Sequence, residues 1–273
     1  MFMQLNRRNL LLASAFAFAL SLPALAQETV QRDVPYVPTP EIVVKRMLEL
    51  ADIKKGEHMM DLGSGDGRIA IAAARDYGAR AVGIDIDPQR IKEANENAAK
   101  AGVTDRVVFK RENLFETPIK DANVITMYLL TTVNMKLRPR LLEELRPGTR
   151  LVSHAFSMGD WEPDVHEKVD GRDVYLWIVP AKVGGQWAVK DGARSFTLDL
   201  QQDLQKLAGR ANIDGKPSLL TNGKMNGEEI VFTLDIGGKP ATFHGKVAGD
   251  KIEAMSGPTA TQKGWSATRA SRG

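Results

Sequence analysis

The chain has 273 residues, 43% of them hydrophobic and 26% charged, with a formal net charge of +3; this is the composition of a soluble globular protein with room for two domains, and it excludes pervasive disorder and a multi-span membrane protein. The absence of cysteine excludes disulfides, thiolate metal sites and a cysteine nucleophile. Lysine and arginine are scattered rather than gathered into a stripe, so no nucleic-acid partner is expected.

The first residues read as an address rather than as part of the fold. Arg7 and Arg8 precede an uncharged stretch from Leu10 to Leu22, then Pro23 and Ala24-Leu25-Ala26, the charged, apolar and small-residue succession of a secretory signal. Residues 1–26 are therefore expected to be a signal cleaved after Ala26, which makes the body an exported, periplasmic protein; a membrane anchor is the alternative. Asn6-Arg7-Arg8-Asn9 also resembles a twin-arginine signal.

Thr39, Pro40 and Glu41 supply a cap, a first-turn proline and an early acid, and Ile42, Val43, Met47, Leu48 and Leu50 supply an apolar face, so a helix is expected to about Ala51. Short apolar runs then alternate with helical stretches. Strands are expected near Met59-Asp61, Ala81-Asp85, Val107-Phe109, Val124-Tyr128 and Leu151-His154, with helices near Arg68-Arg75, Gln89-Ala101 and Val133-Leu145 and a late strand over Val174-Val179. That alternation predicts an α/β fold: a parallel, Rossmann-like sheet covered on both faces, with its ligand outside the carboxyl ends of the strands.

After Pro180 helical periodicity stops. Alternating stretches appear at Phe196/Leu198/Leu200, Ile230/Phe232/Leu234 and Phe243/Gly245/Val247, and the turn signals Gly184-Gly185, Asn222-Gly223, Asn226-Gly227, Gly237-Gly238 and Gly249-Asp250 punctuate them. A small antiparallel barrel or sandwich is expected over residues 182–273, its core closed by Trp187 and Trp265, behind an α/β domain over residues 27–181.

Chemistry concentrates in Met59-Met60-Asp61-Leu62-Gly63-Ser64-Gly65-Asp66-Gly67-Arg68, an apolar strand that turns through three glycines into an apolar helix. Glycine lets the backbone turn sharply and approach a cofactor with no β-carbon between. About 20 residues on, the next strand ends in Gly83-Ile84-Asp85, where a carboxylate accepts from both hydroxyls of a ribose. The pair points to an adenosine-containing cofactor. A dinucleotide fingerprint needs a third glycine where this chain has Arg68, and Asp61 ahead of the loop suits an ammonium, which the methionyl part of S-adenosyl-L-methionine carries and a pyrophosphate does not.

These residues resemble the class I, seven-strand methyltransferases, with Asp61-x-Gly63-x-Gly65-x-Gly67 as the first motif and Asp85 as the acidic residue. Pro35-Tyr36-Val37-Pro38, the Asp61–Arg68 loop, Asn113-Leu114-Phe115 and the stretch from His154-Ala155-Phe156 to Trp161-Glu162-Pro163 resemble, more narrowly, the ATP synthase c-subunit lysine methyltransferases and their prokaryotic relatives. The resemblance implies methyl transfer to a protein lysine, although the residues themselves leave the acceptor open. By position it puts Asp61, Gly63 and Gly65 against the amino-acid part of the cofactor, with Ser64 of the same loop also a cofactor contact, Asp85 and Ile86 at the ribose and adenine, and Asn113 and Leu114 at the adenine edge, with asparagine where relatives usually have aspartate. Tyr36 either covers the cofactor or packs at the sheet edge, and Tyr128 either orients an acceptor amine or belongs to the core. Thr131 is a second candidate for that task. His154 and Trp161 fall where the resemblance suggests the acceptor pocket, although His154 reads more readily as a satisfied histidine at a strand end.

The four histidines show no metal-ligand spacing, so no metal is expected. A second function stays open on sequence alone: an exported binding module whose β-rich region grips an envelope partner while the Rossmann-like part is inactive.

Overall fold

The computed structural model describes residues 34–272. The expected signal over residues 1–26 and its cleavage point lie outside them. Helix α1 is Glu41–Leu50 and buries Val43, Val44, Met47 and Leu48. Thr39 does not cap it: Pro40 takes the cap position with no side-chain bond, so the threonine stands one residue too early, and its hydroxyl lies 3.1 Å from His154 Nδ1 instead.

Seven strands follow in one sheet: β1 (His58–Leu62), β2 (Arg80–Asp85), β3 (Val107–Arg111), β4 (Val124–Met127), β5 (Arg150–His154), β6 (Val165–Val169) and β7 (Arg172–Ile178), in the order β3-β2-β1-β4-β5-β7-β6. The first five are parallel and β7 is antiparallel to both β5 and β6. Strand β6 was not expected, because its sequence, Val165-His166-Glu167-Lys168-Val169, has a polar centre; it is an edge strand whose side chains stay partly in water.

Helices α2 (Arg68–Tyr77), α3 (Pro88–Ala101) and α4 (Thr131–Glu144) connect the parallel strands. In α2 the run Ile69 to Ala74 is buried all round, because the helix lies between the sheet and its neighbours α1 and α3 and has no face left for water. A second apolar layer covers the other side of the sheet, where α4 residues Val133, Leu137 and Leu141 meet Met158, Trp161 and Trp177.

Nine further strands form the C-terminal part: β8 (Gly185–Asp191), β9 (Arg194–Asp203), β10 (Lys206–Ile213), β11 (Lys216–Leu219), β12 (Thr221–Asn226), β13 (Glu229–Ile236), β14 (Lys239–Ala248), β15 (Lys251–Ala254) and β16 (Trp265–Arg272). All paired strands run antiparallel, β16 pairs back onto β8 and β9 pairs with β10, so the sheet closes into an eight-stranded barrel in which β11 and β12, both antiparallel to β10, share one position. Closure removes the free edges of an open sheet. The interior is filled with side chains: Phe232 and Phe243 stack at 4.9 Å, and Trp265 meets both edge-on at 5.6 and 5.2 Å.

Two of the expected hairpin connections have other uses. Asn222-Gly223 lies within β12, at the register shift between Thr221 and Lys224, and a β-carbon on Gly223 would come within 2.5 Å of the Leu207 carbonyl oxygen. Gly184-Gly185 leads into β8 instead of joining two barrel strands. The bonds that seat the barrel run to the opposite end of the α/β sheet from the glycine loop. Ala181 N donates to the Gly227 carbonyl at 2.8 Å, Gly227 lies against Gly148 just ahead of β5, and Gln205 Nε2 donates to the Glu162 carbonyl at 2.6 Å. Among the described residues no helix is long and apolar enough to cross a membrane.

Candidate active site

At the carboxyl ends of β1, β2 and β4 the chain leaves one cleft, and Tyr36, Asp61, Gly63, Ser64, Gly65, Asp85, Ile86, Asn113, Leu114 and Tyr128 all line it. Gly63, Gly65 and Gly67 have φ of 78°, 52° and 81°, a region that costs other residues energy. The amides of Gly63 and Ser64 donate to the Ile84 carbonyl at 2.8 and 2.9 Å, which sews the loop to β2. Gly65 N then donates to Asp85 Oδ2 at 2.8 Å, and Asp87 N to Asp85 Oδ1 at 2.9 Å. The Asp85 carboxylate is thus held rigidly by two backbone donors, with lone pairs left for a ligand.

Asp61 is 2% exposed, and Thr126 Oγ1 donates to its Oδ1 at 2.7 Å, but its Oδ2 is buried with no partner. Burial pushes this carboxyl up to about 7, and the nearby Asp85 and Asp66 charges add to the shift against the Thr126 bond. A buried carboxylate oxygen without a donor costs free energy unless a cation or donor meets it. The Ser64 hydroxyl is also buried and unpartnered.

Segment 34–39 closes the cleft from one side. A β-carbon on Gly65 would meet the Tyr36 ring at 2.5 Å, and the Arg90 guanidinium lies 4.5 Å from the ring's centre on the Tyr36 face. Arg68 pairs with Asp66 at 2.6 Å and donates to the Thr39 carbonyl at 3.0 Å, tying the segment to the start of α2. Asn113 is engaged locally: its oxygen accepts from Phe115 N at 3.0 Å and its amide donates to Glu116 at 3.0 Å, which leaves one lone pair and one N–H for a ligand.

Tyr128 is the first residue past β4. Its ring centre is 3.8 Å from that of His154 and 6.0 Å from that of Phe156. His154 is buried behind it, and burial, helped by the charge of Arg172, lowers its imidazole to about 4, so the ring is neutral at physiological pH. Trp161 is not at the cleft: it is 1% exposed, packs on Trp177 at 6.1 Å and accepts that residue's indole N–H on its carbonyl at 2.8 Å. The apolar layer under the sheet outcompetes the cleft for so large a ring. Thr131 begins α4 and is not among the cleft's lining residues.

Sequence reasoning passed over Arg90, Glu112, Leu129 and Val133, which also line the cleft. Arg90 had a signal, since it falls in the first turn of the helix that Asp87 caps just after the acidic strand end. Glu112 and Val133 had none, because only the sheet order brings them together. In all, five carboxylates, Asp61, Asp66, Asp85, Asp87 and Glu112, face the cleft, against Arg68 and Arg90, which are themselves paired with Asp66 and Glu93.

Residues 61–165 match the ANTKMT methyltransferase domain family. A protein-lysine N-methyltransferase from Saccharolobus islandicus (strain REY15A) is 49% identical over 151 residues, covering 54% of this chain and 94% of that protein. The chain belongs to this methyltransferase family. The methyltransferase is also 32% identical over 141 residues to the mouse adenine nucleotide translocase lysine N-methyltransferase, of which it covers 61%. The solved structure described as an RNA methyltransferase from Salinibacter ruber in complex with S-adenosyl-L-homocysteine is 55% identical, with a TM-score of 0.53, and covers 54% of the methyltransferase and 96% of that chain. The cofactor is S-adenosyl-L-methionine, and of the two functions open on sequence alone the family selects the enzyme over the inactive binding module.

Proposed function

We propose that the methyltransferase places a methyl group on lysine side chains of a protein, holding S-adenosyl-L-methionine in the cleft between the glycine loop and segment 34–39. The observation that carries this reading is the charge of the cleft: a buried, unpartnered carboxylate oxygen on Asp61 and an excess of carboxylates around it. Such a wall suits a cofactor that brings an ammonium and a sulfonium, and an acceptor that arrives as a cation; it opposes phosphates, whether of a dinucleotide or of RNA. In this arrangement Asp61 and the backbone of Gly63, Ser64 and Gly65 take the amino-acid part, Asp85 the ribose, and Ile86, Asn113 and Leu114 the adenine, under the Tyr36 ring.

The bound cofactor supplies a methyl group on cationic sulfur, so the chain needs no nucleophile of its own. What its residues must do is align the acceptor and exclude water. The rim carboxylates draw a lysine in as its ammonium. Leu129 and Val133 then replace water around it, which favours loss of the ammonium proton to solvent at the cleft mouth and leaves the neutral amine that reacts. Tyr128 stands at the carboxyl end of β4 with its ring fixed by His154, placed to orient that amine through its hydroxyl.

Incubating the protein with tritium-methyl cofactor, a lysine-rich protein and bulk RNA together, then mapping the label by mass spectrometry, tests the reading. Label on lysine supports it. Label confined to RNA would overturn the acceptor assignment and favour the function named for the Salinibacter ruber relative.

We also propose that the protein works outside the cytoplasm, from the signal pattern of residues 6–26. Because the barrel is seated at the amino ends of the strands, an envelope partner held by the barrel would leave the cleft free. Fractionation of cells that make the full chain tests the location, and recovery of the protein in the cytoplasm would remove the idea.

A further inference from the structure

His154 is not in the wall of the cleft, yet two residues that are in it lean on its ring. On one side Thr39 Oγ1 lies 3.1 Å from Nδ1, an interaction between residues 115 apart in sequence. On the other side the Tyr128 ring packs at 3.8 Å, tilted by 34°. Thr39 and His154 are 3% and 1% exposed, so water neither competes for these groups nor replaces a hydrogen bond broken between them. A neutral imidazole carries one N–H. With that proton on Nδ1 the Thr39 oxygen accepts it, and the buried, unpartnered Nε2 is left as a lone pair, a lesser cost than a buried N–H with no acceptor.

Thr39 is also the last residue of the segment over the cofactor site. Its carbonyl takes the Arg68 guanidinium at 3.0 Å, and three residues before it Tyr36 lies over Gly65 beneath Arg90. Tyr36 and Val37 remain exposed at 39% and 53%, so little apolar burial holds the segment down between its anchors. The Thr39–His154 bond is the anchor that reaches across to the β5 end of the sheet, where Tyr128 limits how far the imidazole can move.

We propose that His154 is a positioning residue: its bond to Thr39 latches segment 34–39 over the bound cofactor, with the Tyr128 ring as the backstop that keeps the imidazole in place. The inference rests on the assignment of the cleft to S-adenosyl-L-methionine. A purely structural histidine would affect folding stability and leave cofactor affinity alone.

The test is calorimetric titration with S-adenosyl-L-methionine of the wild-type full chain, Thr39→Val, His154→Phe, the double variant and His154→Asn, each with its thermal midpoint recorded. Phenylalanine keeps the stack on Tyr128 and removes the bond; asparagine places an amide where Nδ1 was and keeps the bond. Thr39→Val and His154→Phe are each expected to raise Kd about five- to tenfold, the yield of one buried hydrogen bond. The double variant should be no weaker than the worse single, because both substitutions remove the same hydrogen bond, and His154→Asn should return to within about twofold of wild type. Wild-type affinity in both single variants, additive losses in the double, or His154→Asn as weak as His154→Phe would overturn the latch. Failure of the wild type to bind would instead sink the cleft assignment, so the two failures are told apart.

Discussion

The two halves of this chain deal with buried polar groups in opposite ways. Among the described residues of the α/β half, seven buried side-chain atoms have no hydrogen-bond partner: Asp61 Oδ2, Ser64 Oγ, Asn134 Oδ1 and His154 Nε2 near the carboxyl ends of β1, β4 and β5, and Arg150 Nε, Trp161 Nε1 and Asp164 Oδ1 away from the cleft. Among the described residues of the barrel, none is left in that state. Its interior is apolar, and its two indole N–H groups are spent on the Val183 and His244 carbonyls. Unmet buried polar groups cost free energy, and of the seven only Asp61 Oδ2 and Ser64 Oγ belong to residues that line the cleft, where a ligand can meet them. The matched methyltransferase domain and the cleft both lie in the α/β half.

The sharpest way to break that division is to damage the barrel and measure the cleft. Trp265→Ala removes a fully buried ring that packs edge-on against Phe232 and Phe243, at a cost of about 3–5 kcal/mol in urea unfolding. Cofactor affinity in the surviving folded protein should stay within about twofold; a parallel loss would mean that the two halves are coupled and the division false. Next in size is Asp85→Ala, which removes the carboxylate proposed to hold the ribose and should weaken S-adenosyl-L-methionine binding by about 100-fold, or ~2.7 kcal/mol, with circular dichroism showing the fold intact.

A smaller effect comes from Asp61. With its carboxyl raised to about 7, the native protein holds a proton that the unfolded chain gives up near pH 4, so this group's contribution to the stability of the cofactor-free protein is present at low pH and lost as pH rises through 7. An ammonium binds the carboxylate form. Affinity for S-adenosyl-L-methionine should thus rise up to tenfold per unit as pH climbs from about 5.5 to 7 and then level off, and Asp61→Asn should flatten the profile in calorimetry at several pH values. The smallest effect concerns the seam between the halves: Gln205→Ala removes the 2.6 Å bond to the Glu162 carbonyl and should lower the thermal midpoint by an amount worth about 1 kcal/mol, with cofactor affinity unchanged.

What could be read in advance follows from how local each signal is. The glycine loop, the Asp85 strand end and the Asn113-Leu114 pair lie on short contiguous stretches at strand ends, so their gathering at a single cleft was visible from strand and helix alternation. Trp161 shows the limit: its place after β5 suggested, by the resemblance, the acceptor pocket, but its ring packs on Trp177 in the apolar layer with α4. Strand β6, with a polar centre, carries no period that marks an edge strand. Asn222-Gly223 has the composition of a hairpin turn and serves as a bulge, because the close approach of Leu207 decides its use.

By itself the sequence determined the α/β order, the change to an antiparallel texture after Pro180 and the adenosine-binding motif, all of which depend on residues close together in the chain. Tertiary structure alone decided that the barrel closes through β9 and β10, that it sits away from the cleft, and that Thr39 serves His154 rather than a helix end. Those are interactions between segments tens of residues apart. They are fixed by which surfaces remain to be buried once the local elements have formed, and no short stretch of sequence carries that information.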